Sequence, residues 1–223
     1  MLPKYLDPIR VLRWVRFRAS CIDARRAAQR RRAAAKAWLD QNTSGPFKVN
    51  VGCGQVPFAA WVNLDLDPRA RADFLWDVIE GLPFANDSCS FFYSEHFLEH
   101  LPIQNGVRFL SECYRSLRKG GVVRIGMPSL EETVRHYYEN VWATQPWLEK
   151  YGYKWIKTRA EYININFREW GHQWLYDGEE LHRRLGEAGF TQITDVAWGQ
   201  SQYSELANRE TRNETLLICE ATK

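Results

Sequence analysis

The stretch KVNVGCG (residues 48–54), followed within ten residues by VNLD (62–65), restricts the fold more than any other part of the chain. Phe47–Val51 has the short, β-rich composition of a buried strand, and Val62–Asp65 that of a second. Glycines at 52 and 54 allow the chain to turn with positive φ and bring bare backbone N–H groups close to a ligand. A ligand lying across two such parallel strands meets glycine backbone first, then a carboxylate able to accept both hydroxyls of a ribose. A hydroxyl donating to a carboxylate is worth roughly 1.5–3 kcal/mol, more than a neutral pair.

The pattern continues downstream. Asp73–Val78 reads as a third strand-like piece ending in Asp77, and Ser90–Ser94 as a fourth running into EHFLEHL (95–101), which is expected to open a helix. A helix over Val107–Arg118 should stop on Lys119-Gly120-Gly121, with Val122–Pro128 as the fifth strand. Gly178–Ala188 is a helix ended by Gly189-Phe190, Thr191–Trp198 a sixth strand and Glu214–Ala221 a seventh. The polar residues 199–213 are expected to form a mobile loop. Strands alternating with helices at short intervals predict an α/β, doubly wound, Rossmann-like sheet.

At 223 residues the chain suits one sizeable domain with an appendage. Cys21, Cys53, Cys89, Cys113 and Cys219 are scattered without a C-x-x-C pair, which excludes a disulfide framework and a thiolate zinc site. No apolar run or signal-like start is present, so a cytoplasmic location is expected. The net charge of +3 is split: residues 1–40 carry eleven Lys/Arg against three Asp, or +8, leaving −5 elsewhere. These residues read as helix, with Ile9, Leu12, Trp14 and Val15 able to share a face among Arg10, Arg13, Arg16 and Arg18. Such an arm can pack on the core, lie peripherally on an anionic membrane, or bind nucleic acid. Asn42–Pro46 punctuates the chain, giving a basic helical arm over 1–45 and a main domain over 46–223.

His96, Glu99 and His100 carry the letters of a zinc-protease motif, but they follow a strand that should point at the ligand, and no metal is assigned. His96 is the first candidate general base and His172, just ahead of the Gly178 helix, the second; a structural histidine is the competing reading of each. Residues 129–177 are rich in Trp and Tyr interleaved with Lys150, Lys154, Lys157, Arg159 and Arg168. They form either a hydrophobic cover or a surface suited to sugars, rings and anions.

NVGCG, NLDLD, WDVIEGLPF, SEHFLEHL, LRKGGVVRIGMP and LHRRLGEAGF, in this order, resemble the class I S-adenosylmethionine (SAM)-dependent methyltransferases of the type 11 group, over about residues 47–221. The resemblance implies a seven-stranded sheet with the last strand antiparallel, and SAM as cofactor. It places Gly52, Cys53 and Gly54 along the methionine part, Asp65 on the ribose, and Leu66 against the adenine. Asp77 would accept from the adenine amino group, Val78 supply a backbone contact, and Ser94 and Glu95 end the strand beneath the methyl donor. The 129–177 insertion would be a lid over the acceptor. Ubiquinone-pathway O-methyltransferases are similar at His96–His100 and hold a divalent cation there. The chain departs from the family in fitting only ten residues between Gly54 and Asp65, and in carrying Val56 where a third glycine is usual. The helix N-terminus that normally serves the cofactor carboxylate must therefore be weakened or replaced. Shortened versions resemble enzymes of bacterial polysaccharide-building clusters. No Asn/Asp-Pro-Pro-Tyr follows the fourth strand, which favours oxygen over nitrogen of a small-molecule or glycan-like acceptor. A non-catalytic SAM-binding scaffold and an RNA methyltransferase using the basic arm are the alternatives.

Overall fold

A computed structural model describes residues 8–42 and 45–223, with side chains from residue 23 onward. The apolar face of the arm around Ile9–Val15, its interleaved arginines and Cys21 belong to side chains outside the described residues. The arm itself is one helix, α1, Pro8–Gln41. Its second half docks on the sheet edge: Ala35 is buried, Trp38 lies 5.6 Å from Phe74, and Arg31 and Arg32 pair with Glu80 at 2.5 and 2.9 Å.

Seven strands follow: β1 Phe47–Val51, β2 Val62–Asp65, β3 Phe74–Leu75, β4 Cys89–Glu95, β5 Leu117–Met127, β6 Thr191–Asp195 and β7 Leu217–Thr222. They form one sheet in the order β3-β2-β1-β4-β5-β7-β6. Neighbours from β3 to β5 are parallel, and β7 runs antiparallel to both β5 and β6, as expected. The helices are α2 Ile103–Ser116, α3 Leu130–Tyr138, α4 Pro146–Lys150, α5 Arg159–Arg168 and α6 Gly178–Ala188.

Several boundaries differ from the expectation, each for a local reason. β3 is only two residues long, and Asp77 instead caps a 3-10 turn, Val78–Glu80, by accepting from the Ile79 amide at 3.2 Å. No helix opens at Glu95. The His96 amide still donates to Gly126 at 2.9 Å, His96 then turns with φ 50°, and Leu98–His100 forms a single 3-10 turn. Pro102 cannot sit inside a helix, so α2 starts after it. That helix stops at Ser116 because fully buried Leu117 already pairs with Cys89. Lys119-Gly120-Gly121 is a bulge inside β5, since the next pairing is Val122 with Phe91. β6 ends three residues early and β7 begins three residues late.

Strand alternation splits the core in two. Val49, Val51, Leu64, Phe92, Val123 and Ile125 face α2 and α6, which contribute Phe109, Leu110, Leu181 and Leu185. Tyr93 and Val122 face a smaller cluster formed with Phe58, Trp61 and Leu206, residues of connecting segments. On this second side sits Arg124, fully buried, donating to Glu210, Glu220 and the Gln200 carbonyl at 2.5–2.8 Å. Residues 199–213 are thus tied to the sheet by a buried ion network, and the expectation of a mobile loop is corrected.

The β1–β2 connection contains no helix. Asn50 and Asn63 pair across the two strands and are buried on the second side. The Asn63 amide oxygen accepts from Asn50 Nδ2 at 3.1 Å and from the Phe58 amide at 2.7 Å. Its nitrogen donates to the Phe58 and Trp61 carbonyls and to Asp73 at 3.0–3.1 Å. Asn50 also donates to the Val56 carbonyl at 3.1 Å. Two buried side chains thereby supply the polar partners that a helical connection would have found within itself. Asn63→Ala should lower unfolding free energy by about 2–4 kcal/mol, because the buried Phe58 amide loses its partner and Asn50 keeps only the Val56 carbonyl. Urea denaturation measures this; a loss under about 0.5 kcal/mol would show that the amide network contributes little.

Candidate active site

The carboxyl ends of β1, β2 and β4 open into a cleft of about 820 Å³, where ligands bind in parallel α/β sheets. Gly52 and Gly54 take φ of 71° and 50° at its floor. A Cβ at 52 would lie 2.6 Å from the Phe97 ring, so both conformation and space demand glycine. The bend does not present bare amides, contrary to the sequence-based expectation. Gly52 and Cys53 donate to the Leu64 carbonyl at 2.9 and 3.1 Å, and Gly54 donates to Asp65 Oδ2 at 2.8 Å.

Asp65 accepts a second amide, from Asp67, on Oδ1 at 2.8 Å. The two bonds fix the carboxylate while leaving lone pairs directed elsewhere for a diol. Leu66, half exposed, lines the same cleft with Trp76, Asp77 and Val78. The Cys53 thiol is pushed up to about 12 by burial and then by the charges of Asp65 and Asp73, so it is no nucleophile at neutral pH. Gly52, Cys53, Gly54, Asp65, Leu66, Asp77, Val78 and Glu95 are thus brought together. Ser94 is not: it is buried and lines neither this cleft nor its neighbour. Glu95 faces the cleft but spends its carboxylate on the β6–β7 connection, accepting from Thr211 N and Oγ1, Arg212 N and Thr215 Oγ1 at 2.7–3.1 Å.

A second cavity of about 490 Å³ adjoins the first and shares His96, His100 and Arg212 with it. Its far wall is aromatic, with Trp147, Tyr151, Tyr162 and Trp170 from the 129–177 segment. Trp147 stacks on Tyr162 at 5.8 Å and meets Trp170 edge-on at 5.4 Å, so part of the aromatic run covers itself rather than the sheet.

Of the two candidate bases, His96 lies in the shared wall and His172 lines the second cavity, its ring 5.1 Å from that of His100. His96 Nε2 lies 3.1 Å from Thr215 Oγ1. Burial, with the Arg212 charge next, lowers its pKa to about 3, so the imidazole is neutral. His172 donates through Nδ1 to the Asn166 carbonyl at 2.7 Å, which leaves Nε2 as an acceptor. Burial lowers its pKa as well. Glu99, which was not a candidate, lies at the centre: it is 0% exposed, both carboxyl oxygens lack a hydrogen-bond partner, and His96 Nδ1 is 3.5 Å away. Glu99, His100 and His172 each bring one ligand-type atom to within 4.8 Å of the others, a spacing that fits a divalent cation.

Burial raises the Glu99 pKa to about 8. The folded chain therefore keeps a proton that the unfolded chain releases near 4.5. Between those values the unfolded state binds fewer protons, and stability falls as pH rises, by about 1.4 kcal/mol per unit at most. Glu99→Gln should remove this loss, so its melting temperature should gain on the parent's between about pH 5 and pH 8. A difference that does not change with pH would contradict a protonated Glu99.

Comparison with known proteins finds the same fold. Residues 49–125, the span from β1 into β5, match the methyltransferase domain family. A SAM-dependent methyltransferase from Thermotoga maritima, described as a possible histamine N-methyltransferase, superposes with a TM-score of 0.52 at 20% identity, over 94% of this chain and 99% of that one. One from Archaeoglobus fulgidus gives 0.49 at 18%, over 86% and 94%. A search of curated proteins found no match. The sheet has the fold of the class I methyltransferases, and the match of residues 49–125 to the methyltransferase domain supports an enzyme that uses SAM.

Proposed function

We propose that the chain transfers a methyl group from SAM to an oxygen of a small-molecule or glycan-like acceptor. The observation that carries this reading is the pair of adjoining cavities with His96, His100 and Arg212 in their common wall. The donor occupies the first, its ribose on Asp65, its adenine beside Leu66, Asp77 and Val78, and its methionine part along Gly52–Gly54. The acceptor occupies the second, beneath residues 129–177 acting as a lid, where flat aromatic faces suit a ring or a sugar.

SAM supplies an activated methyl group, and the chain's own task is alignment. Holding the acceptor oxygen in line at about 3 Å replaces an encounter in solution, an effect of several kcal/mol. The acceptor hydroxyl loses its proton as the new bond forms, so a weakly basic neutral imidazole at the junction suffices. His172 presents its free Nε2, and His96, whose Nε2 donates to Thr215 Oγ1, keeps its lone pair on Nδ1. The sequence at the end of β4, Ser94-Glu95-His96-Phe97, lacks the Asn/Asp-Pro-Pro-Tyr of amino-group methylation and favours oxygen. In the docked half of α1, Arg31 and Arg32 are used on Glu80, while Arg25, Arg26 and Arg30 stay exposed for peripheral contact with an anionic membrane. No helix among the described residues is long and apolar enough to cross a membrane.

Calorimetric titration tests the donor site. The parent should bind SAM, and Asp65→Ala should weaken binding by at least about tenfold; unchanged affinity would refute the ribose role. For the base, His96→Ala or His172→Ala should cut release of S-adenosylhomocysteine by about 100-fold, with SAM affinity retained. The assay is run against a panel of sugar and phenolic acceptors, and full activity in both variants would remove them from the chemistry.

A further inference from the structure

The donor that this cleft is read as holding carries an α-carboxylate beside its sulfonium, and the usual partner of that carboxylate is missing. Residues 52–61 contain no helix, so no helix N-terminus faces the bend. Most amides there are already committed: Gly52 and Cys53 to Leu64, Gly54 to Asp65, and Val56 to the Cys53 carbonyl at 2.9 Å. The Gln55 amide alone is left, and one neutral donor does not balance a full negative charge, so an anion laid on this floor calls for a side-chain cation.

Two arginines line the cleft. Arg69 is engaged by Asp67, with contacts of 2.8–3.2 Å, and its side chain is 86% exposed. Arg212 is different. Its backbone is held from both sides: its amide donates to Glu95 at 3.1 Å, and its carbonyl accepts from Trp198 Nε1 at 3.3 Å and from the Thr215 amide at 3.2 Å. Behind it the connection is anchored by Arg124 on Glu210. Its guanidinium makes no ion pair or hydrogen bond with any described residue, yet its charge is felt by His96, Glu99 and His100. A fixed backbone carrying an uncommitted planar cation into a cleft is a carboxylate receptor, because guanidinium can bind both oxygens at once.

We propose that Arg212 binds the α-carboxylate of the methyl donor, taking the place of the helix N-terminus that the short β1–β2 connection cannot supply. The inference rests on the donor reading of the first cleft. It also explains why Glu95, at the tip of β4, is committed to Thr211, Arg212 and Thr215: it positions the cation.

The test compares SAM with decarboxylated SAM, which keeps the sulfonium and the amine and lacks only the carboxylate. The parent should bind SAM roughly 10- to 150-fold more tightly than the decarboxylated form, the range for a charged hydrogen bond. Arg212→Ala should erase that preference by weakening SAM alone, and Arg212→Lys should restore part of it. Because the side chain is exposed, melting temperature should not change. The proposal is overturned if Arg212→Ala leaves the preference intact, including the case in which only the Michaelis constant for the acceptor rises, which would assign the guanidinium to an acceptor anion. If the parent binds neither compound, the donor reading itself fails, an outcome distinct from loss of the Arg212 role.

Discussion

The buried pairing of Asn50 with Asn63 is the interaction on which the rest of the site depends. In an α/β sheet the connection after the first strand normally satisfies its own backbone by forming a helix. Here the chain crosses in a few irregular residues, and the amide groups of that crossing close on two asparagines in the middle of β1 and β2. The pair holds the strands in the register that sets Gly52–Gly54 beside Asp65. On the same side of the sheet Arg124 is buried with Glu210 and Glu220, and that network holds the β6–β7 connection over the cleft.

Much of this was legible beforehand. β1, β2 and α6 carry strong local signals, and structure and expectation coincide at their ends. The glycine bend, Asp65, Leu66, Asp77 and Val78 do line one cleft, because strand ends and turn chemistry are local properties. What escaped was set by pairing at a distance. EHFLEHL has helical spacing, but the His96 amide is needed in the ladder to Gly126, and Pro102 fixes the true helix start. Residues 199–213 are polar and read as free; the sign that they were tied down was the lone arginine inside VVRIG, a charge that no buried strand keeps without partners. Asn50 and Asn63 gave the same kind of signal, polar residues at matched positions in two apolar strands. Glu99 was visible only as a letter of a metal-type motif, and Arg212 carried no signal, since their surroundings exist only where three segments meet.

Charge placement gives the site its character. The donor side is acidic, with Asp65, Asp77 and Glu95, and suits a cationic sulfonium nucleoside. At the junction, burial holds the imidazoles neutral and Glu99 protonated, so on the proposed reading Arg212 is the one positive charge there among the described residues and the proton acceptors add none beside the sulfonium.

The most direct measurement is a crystal structure with S-adenosylhomocysteine. The account predicts the ribose diol on the Asp65 carboxylate and the homocysteine chain passing along Gly52–Gly54 toward His96. A nucleoside bound elsewhere, or a cleft that stays empty while the asparagine pair remains intact, would contradict it.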